Sequence, residues 1–153
     1  MTDIRSRLAE LGITLPEAAA PVAAYVPAVL AGRFLHVSGQ VSFENGQLLT
    51  GRIGEDRDLA FGVRAARACG LMLLAQIDKA VGLEQVERVV KLGVFVSSTG
   101  AFTDQPKVAN GASELMEQVF GDAGRHARSA VGVPVLPLGA AVEIDAIVAV
   151  KAA

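Results

Sequence analysis

Residue types that carry covalent or metal chemistry are scarce in this chain: one cysteine, two histidines, one tyrosine and no tryptophan among 153 residues. A lone cysteine excludes an internal disulfide framework. His36 and His126 lie far apart and form no zinc-ligand spacing with Cys69, so no metal is expected. Neither sign of charge is in excess: 14 Lys and Arg against 16 Asp and Glu leave a net charge of −2. That balance argues against a broad basic surface for nucleic-acid phosphates. No run approaches the ~18–20 uninterrupted apolar residues of a membrane helix, so no membrane partner is expected. There is no GxxxxGK[ST] phosphate loop, no GxGxxG after a strand, no HExxH and no GxSxG elbow. The first ten residues are charged and lack the apolar core of a secretory signal, which makes the cytoplasm the expected location.

What the chain does have is apolar residues, 52% of the total against 20% charged. The surplus is expected in a core, a subunit interface, or both. Ile4, Leu8 and Leu11 mark a short helix over 2–11, ended by Gly12. Residues 13–24 are rich in Pro and Ala and read as an irregular lead-in. Residues 1–20 are accordingly an N-terminal extension and 21–153 a single domain. Tyr25–Leu30 and Phe34–Ser38 read as a hairpin about Gly32, and Gln47–Thr50 as a short strand after the Asn45-Gly46 turn. Asp56 or Asp58 is the candidate N-cap of a helix running to Ala80, with Gly82 as its stop. Gly62 and Gly70 in that helix point to close packing against a sheet. Val86–Ser98 alternates as a strand with Val90, Leu92, Val94 and Val96 inward. Asp104 and the early Pro106 open a second long helix to Phe120. Arg125–Val133 and Ala140–Val150 read as a closing hairpin.

Two long helices on one face of a largely strand-built sheet define an α+β two-layer sandwich. The other face, with Lys91, Phe95, Arg128 and Glu143, is left to pack against another subunit. Arg128 stands among small residues, and a buried arginine needs a partner. Pairing about Val135–Leu136 would set Arg128 opposite Glu143. Two readings stay open: a structural cross-strand ion pair, or a guanidinium fork for a substrate carboxylate with Glu143 beside it as acid, base or water-orienting group. Cys69, inside a predicted helix, reads as a buried structural thiol.

The stretch Arg128-Ser129-Ala130-Val131, then Leu136-Pro137, then Val142-Glu143-Ile144-Asp145-Ala146-Ile147 resembles the C-terminal signature of the YjgF/RidA family, the reactive intermediate deaminases once called L-PSP endoribonucleases. Tyr25, Val37-Ser38-Gly39-Gln40, Val94-Phe95-Val96 and Asn110 follow in the family's order, so the resemblance spans about residues 20–151. Val108–Leu115 and Gly124–Val133 resemble a longer-chain subgroup of the family. The resemblance implies a chorismate-mutase-like fold with a mixed sheet, a homotrimer with clefts between subunits, and cofactor-free hydrolysis of 2-imino acids or their enamine tautomers to 2-oxo acids and ammonia. It matches Arg128 to a carboxylate clamp and Glu143 to a water-placing glutamate. Tyr25, Ser38 and Asn110 match cleft positions. Ala130 falls where many members carry Cys, a position whose backbone meets the ligand. A trimeric carboxylate-binding or regulatory protein without turnover is the alternative, and an endoribonuclease the more remote one.

Overall fold

The computed structural model describes residues 3–21 and 23–152. Three helices, α1 (Ile4–Glu10), α2 (Leu59–Ala80) and α3 (Gln105–Phe120), accompany seven strands: β1 (Ala28–Ala31), β2 (Phe34–Val41), β3 (Phe43–Glu44), β4 (Gln47–Leu48), β5 (Val86–Ser97), β6 (Ala127–Val133) and β7 (Val142–Val150). The α+β two-layer expectation holds. The predicted helix over 2–11 is α1, its first residue lying outside the described ones. The predicted strand at Tyr25–Leu30 begins only at Ala28.

Local chemistry explains most boundaries. Asp58 caps α2 by accepting from the Phe61 N–H at 2.9 Å. Asp104 precedes α3 but makes no such bond, and its carboxylate faces Lys107 instead. Asn45 and Gly46 both have positive φ, 51° and 77°, as a two-residue hairpin turn requires, and they join β3 to β4 in a separate ribbon. By length and composition α2 would suffice to cross a membrane, but two thirds of its apolar stretch is buried within the protein. Leu73, Leu74 and Ile77 are fully buried there. Gly62 and Gly70 do mark a close approach, but to α3 rather than to the sheet: a Cβ on Gly62 would meet Val108, and one on Gly70 would meet Leu115 and Ala112.

The main sheet runs β1-β2-β7-β5-β6 and is mixed: every pairing is antiparallel except β5 with β6. This corrects the closing hairpin. β6 and β7 are not neighbours; β5 lies between them. The segment linking them passes over the end of β5, where Ser98 donates its backbone N–H to the Val133 carbonyl (3.0 Å) and Ser97 donates to Ala141 (2.9 Å). The parallel pairing follows from α3, the crossover that a parallel pair needs. On the helix side Leu92, Val94, Val96, Ile144 and Val148 are buried to 1% exposure or less. Irregular pairing near the start of β5 puts Val89 there in place of the expected Val90. The other side carries Val29, Phe34, Phe95 and Val131 interspersed with Lys91, Glu143 and Asp145, and Val29, Phe34 and Val131 are each about half exposed.

Candidate functional site: two half-sites on opposite faces of one sheet

Register decides where the two central residues point. Arg128 on β6 pairs with Leu92, and Glu143 on β7 pairs with Phe95. Leu92 and Phe95 are three residues apart on one strand, so their partners lie on opposite faces. Arg128 faces α3; Glu143 faces the open side. The cross-strand ion pair is therefore absent, as is the expected place of Arg128 on the bare face. Both errors come from the hairpin, which would have put the two residues opposite one another.

Around Arg128 the helix supplies acceptors. Nη1 donates to Asn110 Oδ1 at 2.9 Å and to Ser113 Oγ at 3.0 Å, and Nη2 donates to the Pro106 carbonyl at 3.3 Å. Nη1 has two hydrogens and both are engaged. What remains is one hydrogen on Nη2 and the one on Nε, and no acceptor among the described residues takes either. No carboxylate among the described residues lies within ion-pair distance. Ala130, two residues along on the same face, adds a small side chain beside the core. Asn110, Ser113, Arg125, His126 and Arg128 border an open cavity of about 460 Å³. The structure brings Arg128 and Asn110 into hydrogen-bond contact. It adds Ser113, which sequence reading passed over although it stands one helical turn after Asn110.

Glu143 sits half-buried in a second cavity of about 350 Å³, lined mainly by apolar atoms and shared with Tyr25, Gln40, Met72 and Leu138. Burial raises its carboxyl above the ordinary value, and neighbouring Asp145 adds to the effect. Gly39 makes room for it: a Cβ there would stand 2.9 Å from Glu143 Oε2. Ser38 does not point a free hydroxyl into the cavity; its Oγ donates to the Val26 carbonyl at 2.8 Å and fixes the approach to β1. The cavity's outer wall is Ala19–Pro21, held by a buried amide pair. Gln76 Nε2 donates to the Ala19 carbonyl (2.7 Å) and to Gln40 Oε1 (3.2 Å), while Gln40 Nε2 donates to the Ser38 carbonyl (3.0 Å). Cys69 is fully buried behind the sheet, donates to the Val142 carbonyl at 3.4 Å, and has its thiol pKa pushed up by burial, so it is no nucleophile.

The chain thus has a two-layer α+β fold with a mixed sheet, an arginine with unengaged donors on the edge strand β6 and a half-buried glutamate on the reverse face, each beside its own cavity. The chain belongs to the family described as "YjgF/chorismate mutase-like, putative endoribonuclease", whose model matches residues 5–149. It is 52% identical over 148 residues to protein TCP17 of Trypanosoma cruzi, covering 95% of this chain and 92% of that protein. It is 30% identical to a 2-iminobutanoate/2-iminopropanoate deaminase of Dermatophagoides farinae, covering 91% of this chain and 95% of that one. Among solved structures, an Agrobacterium tumefaciens protein of unknown function matches with a TM-score of 0.89 at 48% identity, covering 97% of this chain and 92% of its own. The YjgF gene product of Escherichia coli matches at 0.62 and 27%, covering 89% and 94%.

Proposed function

We propose that the protein hydrolyses 2-imino acids, or their enamine tautomers, to 2-oxo acids and ammonia, without a cofactor, in the cytoplasm. The observation that carries this reading is that Arg128 keeps two donor hydrogens without an acceptor among the described residues, one on Nε and one on Nη2, which suits a carboxylate. Relatives at about 30% identity that are named deaminases support it. An imine carbon is already electrophilic, so orientation and a proton carrier suffice. With the carboxylate held by Arg128, water adds to C2 while Glu143 takes its proton. Glu143 returns that proton to nitrogen, then relays the proton of the new C2 hydroxyl to the same nitrogen as the C–N bond breaks, so that C2 becomes a carbonyl and ammonia leaves. A carboxyl raised by burial suits a group that must first accept and then give a proton.

Arg128 and Glu143 of one chain face apart, so a working site takes Arg128 from one copy and Glu143 from another. The half-exposed apolar residues of the open face are the surface on which copies would meet, in a homotrimer. The test couples a threonine dehydratase to the protein and follows the lifetime of the 2-iminobutanoate it releases. Wild type shortens it; Arg128→Ala and Glu143→Gln each fail to. Refolding the two variants together restores about one quarter of the wild-type activity, because each site draws its arginine and its glutamate independently from a mixed pool. An unchanged imine lifetime with wild type refutes the deaminase. No recovery on mixing refutes the shared site.

A second reading, carboxylate binding without turnover, is favoured by the same fork, which would hold a 2-oxo acid equally well. Arg128-dependent binding of 2-oxobutanoate with no effect on the imine would select it.

A further inference from the structure

Arg128 is held by a chain of hydrogen bonds that runs in one direction. His126 Nδ1 lies 2.6 Å from the Gly124 carbonyl oxygen, which only accepts, so Nδ1 carries the proton. In the neutral ring Nε2 is then an acceptor. Its partner, 2.9 Å away, is Ser113 Oγ, which donates its single hydrogen there. The lone pairs of Ser113 Oγ are left for the Arg128 Nη1 hydrogen at 3.0 Å. Burial lowers the His126 pKa and the charge of Arg128 lowers it further, against the pull of the Gly124 carbonyl and Glu117. A lowered pKa keeps the ring neutral at neutral pH, and in that form the Nδ1 contact to the Gly124 carbonyl fixes the direction of the chain.

Each link sets the next. Without the His126 acceptor, the Ser113 hydroxyl is free to rotate and present its hydrogen to the guanidinium. Without Ser113, Nη1 keeps Asn110 alone, and the fork pivots about that contact and the Pro106 carbonyl. We infer that Ser113 and His126 are positioning residues for the carboxylate clamp: they consume the Nη1 end of Arg128 and thereby aim the Nε–Nη2 edge at the ligand. The inference rests on the proposed role of Arg128. It gives a working part to Gly124, whose carbonyl selects the histidine tautomer. That glycine is required because a Cβ would overlap the Met116 carbonyl.

The test reads geometry and function separately. Long-range proton–nitrogen spectra of the wild type show His126 protonated on Nδ1 and bare on Nε2, and Ser113→Ala shifts the Nε2 resonance. In the coupled imine assay Ser113→Ala raises KM about tenfold with kcat nearly unchanged, as expected when one hydrogen bond to a charged group is lost. Ser113→Thr, which keeps the hydroxyl, restores KM. His126→Phe behaves as Ser113→Ala does, and His126→Gln, which offers an amide oxygen near Nε2, recovers part of the loss. An Nε2-protonated ring, or a Ser113→Ala variant that folds and matches wild type in KM and in its affinity for 2-oxobutanoate, overturns the inference. If the wild type neither binds 2-oxobutanoate nor shortens the imine lifetime, the deaminase reading falls. The spectra then decide the positioning claim alone.

Discussion

At Gly111 the backbone of α3 lies directly against that of α2, and the contact makes a quantitative prediction. A Cβ at this position would overlap the carbonyl oxygen of Val63 and stand 3.0 Å from the carbon of that group and 3.2 Å from the Arg67 nitrogen. The obstacle is backbone in mid-helix, so no rotamer change relieves it; α2 and α3 must part. Overpacking of this kind costs about 1–3 kcal/mol, and the rigid obstacle places Gly111→Ala near the upper end. Helix propensity returns about 1 kcal/mol, leaving a net loss of about 2 kcal/mol, or roughly 4–8 °C in Tm for a chain of this size. Two companions calibrate it. Gly70→Ala meets the tip of Leu115 at 2.9 Å, a side chain able to move, and loses less. Gly100→Ala meets nothing within 4 Å and stays within about 0.5 kcal/mol of wild type. Urea unfolding of the three variants gives the order. A Gly111→Ala protein as stable as Gly100→Ala, or more stable than Gly70→Ala, would refute the packing argument. Because Asn110 and Ser113 ride on α3, Gly111→Ala also weakens 2-oxobutanoate binding without touching the ligand.

Two further expectations concern the N-terminal segment. Gln76→Ala leaves the Gln40 amide oxygen and the Ala19 carbonyl without their donor, costing about 1–3 kcal/mol, and limited proteolysis then cuts near residues 18–21 faster than in wild type. Arg5 bonds Asp78 and Glu84 and holds both carboxyls below their ordinary values, tying α1 to the far end of α2. Carboxylates with depressed pKa values contribute stability above their unfolded values, and lose it as pH falls through the folded ones. Arg5→Met therefore lowers Tm at pH 7, and the difference from wild type shrinks as pH falls below about 4; a difference that does not decline as pH drops further would contradict the ion-pair account.

The elements themselves were legible wherever a signal is local. Asp58, Pro106, Gly82 and Asn45-Gly46 act on their immediate neighbours, and the alternation from Val142 to Val150 names its own faces. Strand order was not legible. Alternation says which residues share a face, but not which strand lies alongside. The eight residues between Val133 and Val142 read as a hairpin connection, although they step across β5. The cue that was present is α3, since a strand, a helix and a strand in sequence favour parallel pairing. The misplaced pairing carried Arg128 to the wrong face and suggested a partner, Glu143, that it does not have. Tyr25, Ser38, Asn110 and Ala130 were singled out through the family resemblance, and only Asn110 is seen to bond Arg128. Ser113 and His126 lie within the subgroup stretches Val108–Leu115 and Gly124–Val133 but received no role, because their partners lie 13 and 15 residues away.

The buried amide of Gln76 grips the main chain at residue 19, not a side chain. Recognition of a carbonyl is indifferent to which amino acid carries it, so the route of this segment is uncoupled from its composition. Ala20 is exposed and Ala19 partly buried, and both border the Glu143 cavity. Substitutions confined to these two positions would change the ceiling of that chamber while leaving the carbonyl anchor in place. Ligand preference in this lineage could diverge there with little effect on the core, with the selective step falling on a stretch that carries no catalytic group.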